Sequence, residues 1–197
     1  MDYQPTPAEN ALRTGFKYLN RFMLLQWRLG LGTWMNMSPK LLGRYMVLIH
    51  LGRKSGTRRT TPLNYARVHD TIYCVAGFGS IADWYKNIQH NPNVEIWLPD
   101  GWWAGIAEDV SHEPDRLQLL REVLIGSGFV APLMGVNPAT LADHELAKQT
   151  ENYRLVRIRR TEARTGPAGP GDLAWIWPVA THLLLALLVW QRKAVKK

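Results

Sequence analysis

Between Tyr45 and Ala76 the chain reads as three strand-length segments joined by turns. Tyr45 to Leu51 (YMVLIHL) is an apolar run of strand length, and Gly52-Arg53-Lys54-Ser55-Gly56 is a turn. Thr60 to Val68 reads as a second strand, His69-Asp70 as a tight turn, and Thr71 to Ala76 (TIYCVA) as a third strand broken by Gly77 and Gly79. Connections this short join antiparallel neighbours, since a parallel pair needs a crossover of about a dozen residues or more. Val94 to Leu98, the turn Pro99-Asp100-Gly101 and Trp102 to Val110 form a further hairpin, and Tyr153 to Ile158 is a last strand. Helical patterns run from Pro7 to about Leu29, from Ala82 to His90, from Pro114 to Leu124, and from Pro138 to about Gln149. Strands in hairpins, helices between them and no βαβ alternation predict an α+β fold with a small antiparallel barrel and flanking helices.

The chain has 197 residues, enough for one domain with a hydrophobic core. At 46% hydrophobic and 20% charged it is neither a disordered polyelectrolyte nor a polytopic membrane protein. The single cysteine, Cys74, excludes a disulfide framework and any cysteine-built metal site, and fits a reducing, cytoplasmic compartment. No two histidines have ligand spacing, so no metal site is expected. The formal net charge is +8, but it is unevenly spread: residues 1–70 and 154–197 are basic and residues 71–153 acidic. A nucleic-acid binder would not keep an acidic middle third; the pattern fits one basic site and a basic edge.

The two ends carry a second theme. Met1 to Pro5 lack a charged region followed by an apolar run, so no cleavable signal peptide is expected. On the first helical pattern, Arg13, Lys17, Arg21 and Arg28 fall on one arc and Leu12, Phe16, Leu19, Phe22, Met23, Leu25 and Leu29 on the opposite side. Such a helix either packs on its own domain with a solvated basic face or rests on an anionic bilayer. Leu173 to Trp190 hold eighteen uncharged positions with Trp175, Trp177 and Trp190 near the ends, and a Pro167-to-Gly171 linker precedes them. That segment, placed to kink at Pro178 and closed by Arg192, Lys193, Lys196 and Lys197, reads as a membrane anchor or a buried or dimer-forming helix.

The densest chemical signal is Leu51 to Pro62, where four cations, four hydroxyls and two glycines fall in twelve residues directly after an apolar strand. Glycines let backbone amides turn toward an anion, Lys and Arg supply charge, and Ser and Thr add donors. It is either a phosphate or carboxylate cradle or a solvated hairpin turn. It is not a Walker A loop, whose spacing is missing, nor a nucleophile elbow around Ser55. Gly77-Phe78-Gly79-Ser80 leading into Asp83-Trp84-Tyr85-Lys86-Asn87 adds a glycine-bearing loop that opens a helix, a second place for an anion, with aromatic surface for a ring.

These elements occur in a recognisable order: Ile49-His50-Leu51-Gly52-Arg53-Lys54-Ser55-Gly56, then Arg59-Thr60-Thr61-Pro62-Leu63, Val75-Ala76-Gly77-Phe78-Gly79, and Asp83 through Pro92. Over residues 10–160 the string resembles the deazaflavin-dependent nitroreductase family, whose fold is the split, FMN-binding-like β-barrel. The resemblance implies a bound coenzyme F420, an 8-hydroxy-5-deazaflavin with an anionic tail, and hydride transfer to a quinone, nitroaromatic or activated alkene. It further implies that Arg53, Lys54, Ser55 and Arg59 hold the tail and phosphate, and that Thr60, Thr61, Pro62 and Leu63 line the ring. Ala76, Gly77, Phe78 and Gly79 would pass along it, and Asp83, Trp84, Tyr85, Lys86 and Asn87 would close over the phosphate end. Tyr65 or Ser80 would serve as a proton donor. Asn64 stands where relatives place an aromatic residue.

The expected organisation is an N-terminal amphipathic helical segment (1–40), a deazaflavin-binding split barrel (41–164), a linker (165–172) and an anchor helix (173–191). The barrel would lie at the cytoplasmic face of a membrane and act on a small lipophilic acceptor, with the oligomeric state open. Two readings compete with this one: an FMN-binding reductase of the same fold, and a non-catalytic membrane-surface protein that binds lipid, haem or another cofactor.

Overall fold

The computed structural model describes residues 7–36 and 43–195. The expectations for Met1 to Pro5, for the segment boundary near residue 40 and for Lys196 and Lys197 lie outside the described residues, as do the side chains of Leu12, Arg13, Phe16, Arg192 and Lys193. Helix α1 (Pro7–Arg28) and the short α2 (Gly32–Met35) precede three strands, β1 (Tyr45–Leu51), β2 (Arg58–Val68) and β3 (Thr71–Ala76). A 3-10 turn (Gly79–Ile81) leads to α3 (Asp83–His90), then β4 (Asn93–Leu98), β5 (Gly101–Asp109), α4 (Arg116–Gly126), α5 (Val130–Leu133), α6 (Asp143–Gln149), β6 (Arg154–Ala163) and α7 (Ile176–Val195). The strands close into a barrel in the order β1-β2-β3-β6-β5-β4, every pairing antiparallel. Closure leaves no sheet edge for another chain to pair with.

Three apolar clusters follow from the alternation of side chains along the strands. Met46, Leu48, Ile72, Cys74, Ile96 and Ile158 fill the barrel, and Tyr85 and Ile88 of α3 pack into the same cluster. On the outside, Leu119, Leu120, Val123 and Leu124 of α4 pack against Ala66, Tyr73 and Leu155. A third cluster joins Trp27 of α1 to Tyr45, Val47, Ile49 and Trp97. Because α1 covers the outer face of β1, both faces of that strand are buried, so its sequence is an unbroken apolar run instead of an alternating one.

The structure departs from the sequence reading at several points. No helix starts at Pro138: Asn137 accepts from the backbone amides of Thr140 and Leu141 and, through Oδ1, from Ala139, so the chain turns there and α6 begins only at Asp143. The segment 165–172 is not a free linker. Gly171 N–H donates to the Trp27 carbonyl, Leu173 N–H to that of Arg28, and Asp172 takes a bidentate ion pair from Arg28 at 2.8–3.1 Å. The uncharged run read as a membrane anchor is divided by this docking. Its helix begins at Ile176 and already holds Arg192 and Lys193, so the uncharged helical part, Ile176 to Gln191, is about 24 Å long at 1.5 Å per residue, against a hydrocarbon core of about 30 Å. No helix among the described residues is long and apolar enough to cross a membrane. Pro178 falls in the first turn, where its missing N–H removes no helical bond.

Candidate functional site

The cleft lies outside the barrel, between α1 and β2. A cavity of about 490 Å³ is walled on one side by Thr61, Pro62, Leu63 and Asn64 of β2 and on another by Leu19, Asn20, Phe22 and Met23 of α1. Gly77, Phe78 and Trp84 border it, and Val130, Met134 and Tyr153 line its remaining wall. A smaller space of about 380 Å³ shares Asn20, Thr61, Pro62 and Phe78 with it and adds Lys17, Arg21 and Thr60. The larger one has the size and the mainly apolar walls of a small-molecule site.

The basic turn behaves differently from the cradle expected. Its backbone amides are spent internally: Gly52 N–H donates to the Thr57 carbonyl, while those of Ser55 and Gly56 both donate to the Gly52 carbonyl. The Arg53 N–H donates to Asn87 Oδ1 at 3.1 Å. A Cβ at Gly52 would sit 2.7 Å from Arg59 Nε and 2.9 Å from Ser55 Oγ, so a side chain there would displace these two exposed side chains. Arg53 is also pinned through its side chain, to Asp83 at 3.0 Å and to Asn87 at 3.0 Å. Asp83 thus occupies the place beside Arg53 that the sequence reading gave to a phosphate. Arg58 is held by Glu95 at 2.9 Å, with its guanidinium over the Trp102 ring. Lys54 and Arg59 are exposed, and no ion-pair partner meets either among the described residues; Arg59 makes one long contact to Ser55 Oγ at 3.5 Å.

Of the residues expected to line the ring or close over the phosphate end, Thr60, Thr61, Pro62, Leu63, Gly77, Phe78, Asp83 and Trp84 line the two spaces. The others do not. Ala76 faces the barrel core and Gly79 is buried with a positive φ of 62°. Lys86 is exposed on α3, and Asn87 is buried behind the turn. Tyr85 is buried in the barrel cluster, where its hydroxyl donates to Asp109 at 2.5 Å; burial, with that bond, pushes its pKa up to about 12. Neither expected proton donor reaches the cleft: Tyr65 is packed inside the barrel, where burial raises its pKa, and Ser80 is exposed outside the lining.

The sequence reading missed the contribution of α1. Lys17 and Arg21 line the smaller space, and their shared arc was the signal available. It also missed Tyr45 and Tyr153, which line the larger one. Tyr45 is 3% exposed, its hydroxyl has no hydrogen-bond partner among the described residues, and burial raises its pKa to about 12, so it stays protonated at neutral pH.

The fold and site define a closed antiparallel barrel with a helix-covered external cleft and, lining the adjoining space, the cations Lys17 and Arg21. Residues 28–126 match the sequence model of the family described as F420H(2)-dependent quinone reductase. The chain belongs to this family. An F420H(2)-dependent quinone reductase of Mycobacterium tuberculosis (strain ATCC 25618 / H37Rv) is 37% identical over 78 residues, 37% of this chain and 52% of its own length; a quinone reductase of the same description from strain CDC 1551 / Oshkosh gives the same figures. The match therefore spans about half the length of these curated relatives. Among solved structures, an F420-H2 dependent reductase (FDR-A) is 18% identical, with 59% of this chain and 94% of that one covered and a TM-score of 0.43. A conserved hypothetical protein of Mycobacterium tuberculosis is 21% identical over 62% of this chain and 74% of that one, at a TM-score of 0.42.

Proposed function

We propose that this protein is an F420-dependent oxidoreductase that passes hydride from the reduced deazaflavin to a lipophilic, electron-poor acceptor of the quinone type. One observation carries the reading. An apolar cavity of about 490 Å³ lies against β2, with Lys17 and Arg21 lining the adjoining space, and Lys54 on the turn before β2 and Arg59 at the start of that strand are exposed without an ion-pair partner among the described residues. Family membership and the cofactor in the relatives' names support it. A planar ring with a phosphate and a carboxylate-bearing tail matches that division between apolar wall and cations.

When bound, the deazaflavin supplies the hydride chemistry itself, and the chain positions and shields it. Leu63, Trp84 and Met134 provide flat or adaptable apolar surface, and Phe22 and Met23 of α1 cover the cavity from the other side. The four cations receive the tail. Arg53 serves instead to hold α3 through Asp83 and Asn87. The Thr61 hydroxyl is a donor that a ligand oxygen would meet.

The reading extends to a bilayer surface at the cytoplasmic face. The apolar side chains of α7, from Trp177 to Trp190, are exposed along nearly the whole helix, which makes lipid a fitting occupant. A lipid-dissolved acceptor would be concentrated there.

Turnover tests the proposal. Full-length protein with reduced F420 and a soluble naphthoquinone is expected to oxidise the deazaflavin at a rate that saturates in quinone, and to give no turnover with reduced FMN in its place. Equal rates with FMN would move the assignment to the flavin, and no quinone-dependent oxidation with either would overturn it.

A further inference from the structure

Thr61 lines both cavities, and what stands behind it decides whether its hydroxyl accepts or donates. His50 stands there, 3% exposed, with Nε2 at 3.1 Å from Thr61 Oγ1. Its other nitrogen, Nδ1, lies 3.2 Å from Nδ2 of Asn87, which is also 3% exposed. The orientation of the Asn87 amide is set from the far side. Its Oδ1 accepts from the Arg53 backbone N–H at 3.1 Å and from the Arg53 guanidinium at 3.0 Å.

An oxygen held by two donors fixes the amide, so the NH₂ group faces His50 and donates to Nδ1. A ring nitrogen that accepts carries no proton, and the neutral imidazole then keeps its proton on Nε2. That N–H donates to Thr61 Oγ1. With its oxygen accepting from behind, the Thr61 O–H is free to donate forward into the cavity. Burial and the Arg59 charge, against a bond to the Leu51 carbonyl, lower the His50 pKa, which favours the neutral ring.

We propose that His50 is a positioning residue: held as its Nε2–H tautomer by the Arg53-anchored amide of Asn87, it commits the Thr61 hydroxyl to donate a hydrogen bond to an acceptor oxygen, such as a ring carbonyl, of the planar ligand. The ligand part rests on the deazaflavin reading; the tautomer does not. The chain of bonds also ties the basic turn to the cavity wall, so Arg53 acts on the ligand through three side chains without touching it.

Two measurements on the full-length protein test it. Long-range ¹H–¹⁵N correlation of the imidazoles, with His50 assigned by its loss in His50→Gln, is expected to show a proton on Nε2 and a bare Nδ1 at neutral pH. Binding of oxidised F420 supplies the second. Thr61→Val is expected to weaken it by about three- to tenfold, as for one lost hydrogen bond, while Thr61→Ser stays within about twofold. His50→Phe should weaken it by a similar factor, and His50→Phe/Thr61→Val by no more than either alone. A proton on Nδ1, unchanged affinity in Thr61→Val, or multiplied losses in the double variant would each overturn the relay. If His50→Phe fails to fold, the tautomer and the Thr61 pair still decide it. Should the native protein bind no deazaflavin, the cofactor reading falls, and with it the assignment of the ligand oxygen, while the tautomer spectrum decides the His50 geometry separately.

Discussion

Two tyrosines show how a residue's neighbours set its use. Tyr65 and Tyr85 both look available for chemistry in the sequence, yet both rings lie in the barrel cluster, while Tyr45, placed on the outer face under α1, lines the cleft together with Tyr153. Tyr85 instead braces the barrel through Asp109. Burial alone would raise the Asp109 carboxyl, but bonds from the Ser111 hydroxyl, the Tyr85 hydroxyl and the Ser111 amide hold it below the ordinary carboxylate range. A carboxylate depressed in the folded state contributes stability above its unfolded pKa and loses it as pH falls through the folded value. Tyr85→Phe is therefore expected to leave unfolding near pH 7 weakened by only about 1–2 kcal/mol and to move the onset of acid unfolding to higher pH. Urea melts at stepped pH read this directly; an acid limb identical to that of the native protein would remove the role given to the pair.

At the scale of elements, the strands and the three longer helices before β6 were legible, and what those helices cover was not. Hairpin turns and apolar runs placed β1 to β5 within a few residues, because those signals are local. The β6 strand runs on to Ala163, past its apolar part, since pairing with β5 and not hydrophobicity sets its length. The lining from Thr60 to Leu63 was readable only as what the family resemblance implied, not from the residues' own pattern. Pairings across the chain were hidden: Arg53 with Asp83, His50 with Asn87, and α1 over the cleft all join segments dozens of residues apart. The tie between Arg28 and Asp172 belongs to this group and fixes the root of α7 to the end of α1, helped by the Trp177 Nε1–H bond to the Leu29 carbonyl at 2.9 Å. Partly exposed ion pairs contribute little to global stability, roughly 1 kcal/mol or less. Asp172→Ala is accordingly expected to change the melting temperature little and to speed limited proteolysis within 165–172. Unchanged cleavage there would mean that the backbone bonds hold this segment without the ion pair.

For the whole molecule, the barrel, the helix-covered cleft and the exposed apolar helix form one sequence of parts, since α1 both walls the cavity and is bonded at its end to the segment that starts α7. Lysine and arginine on α1 and bare apolar surface on α7 suit an anionic lipid surface. Full-length protein is expected to sediment with vesicles containing anionic phospholipid, and a chain ending at Thr165 to stay in solution; equal sedimentation of both would remove α7 from the account. The central claim is that the cleft takes a planar redox ring whose anionic tail lies on Lys54 and Arg59. Its most direct test is an equilibrium titration of the native chain and of Lys54→Ala/Arg59→Ala with oxidised F420, FMN and haem at two salt concentrations. The account predicts tightest binding of the deazaflavin, weakening as salt rises, and a loss of about tenfold or more in the double variant, with the melting temperature unchanged. Binding of FMN or haem in preference to the deazaflavin, or an affinity for it that neither salt nor the double substitution alters, would contradict it.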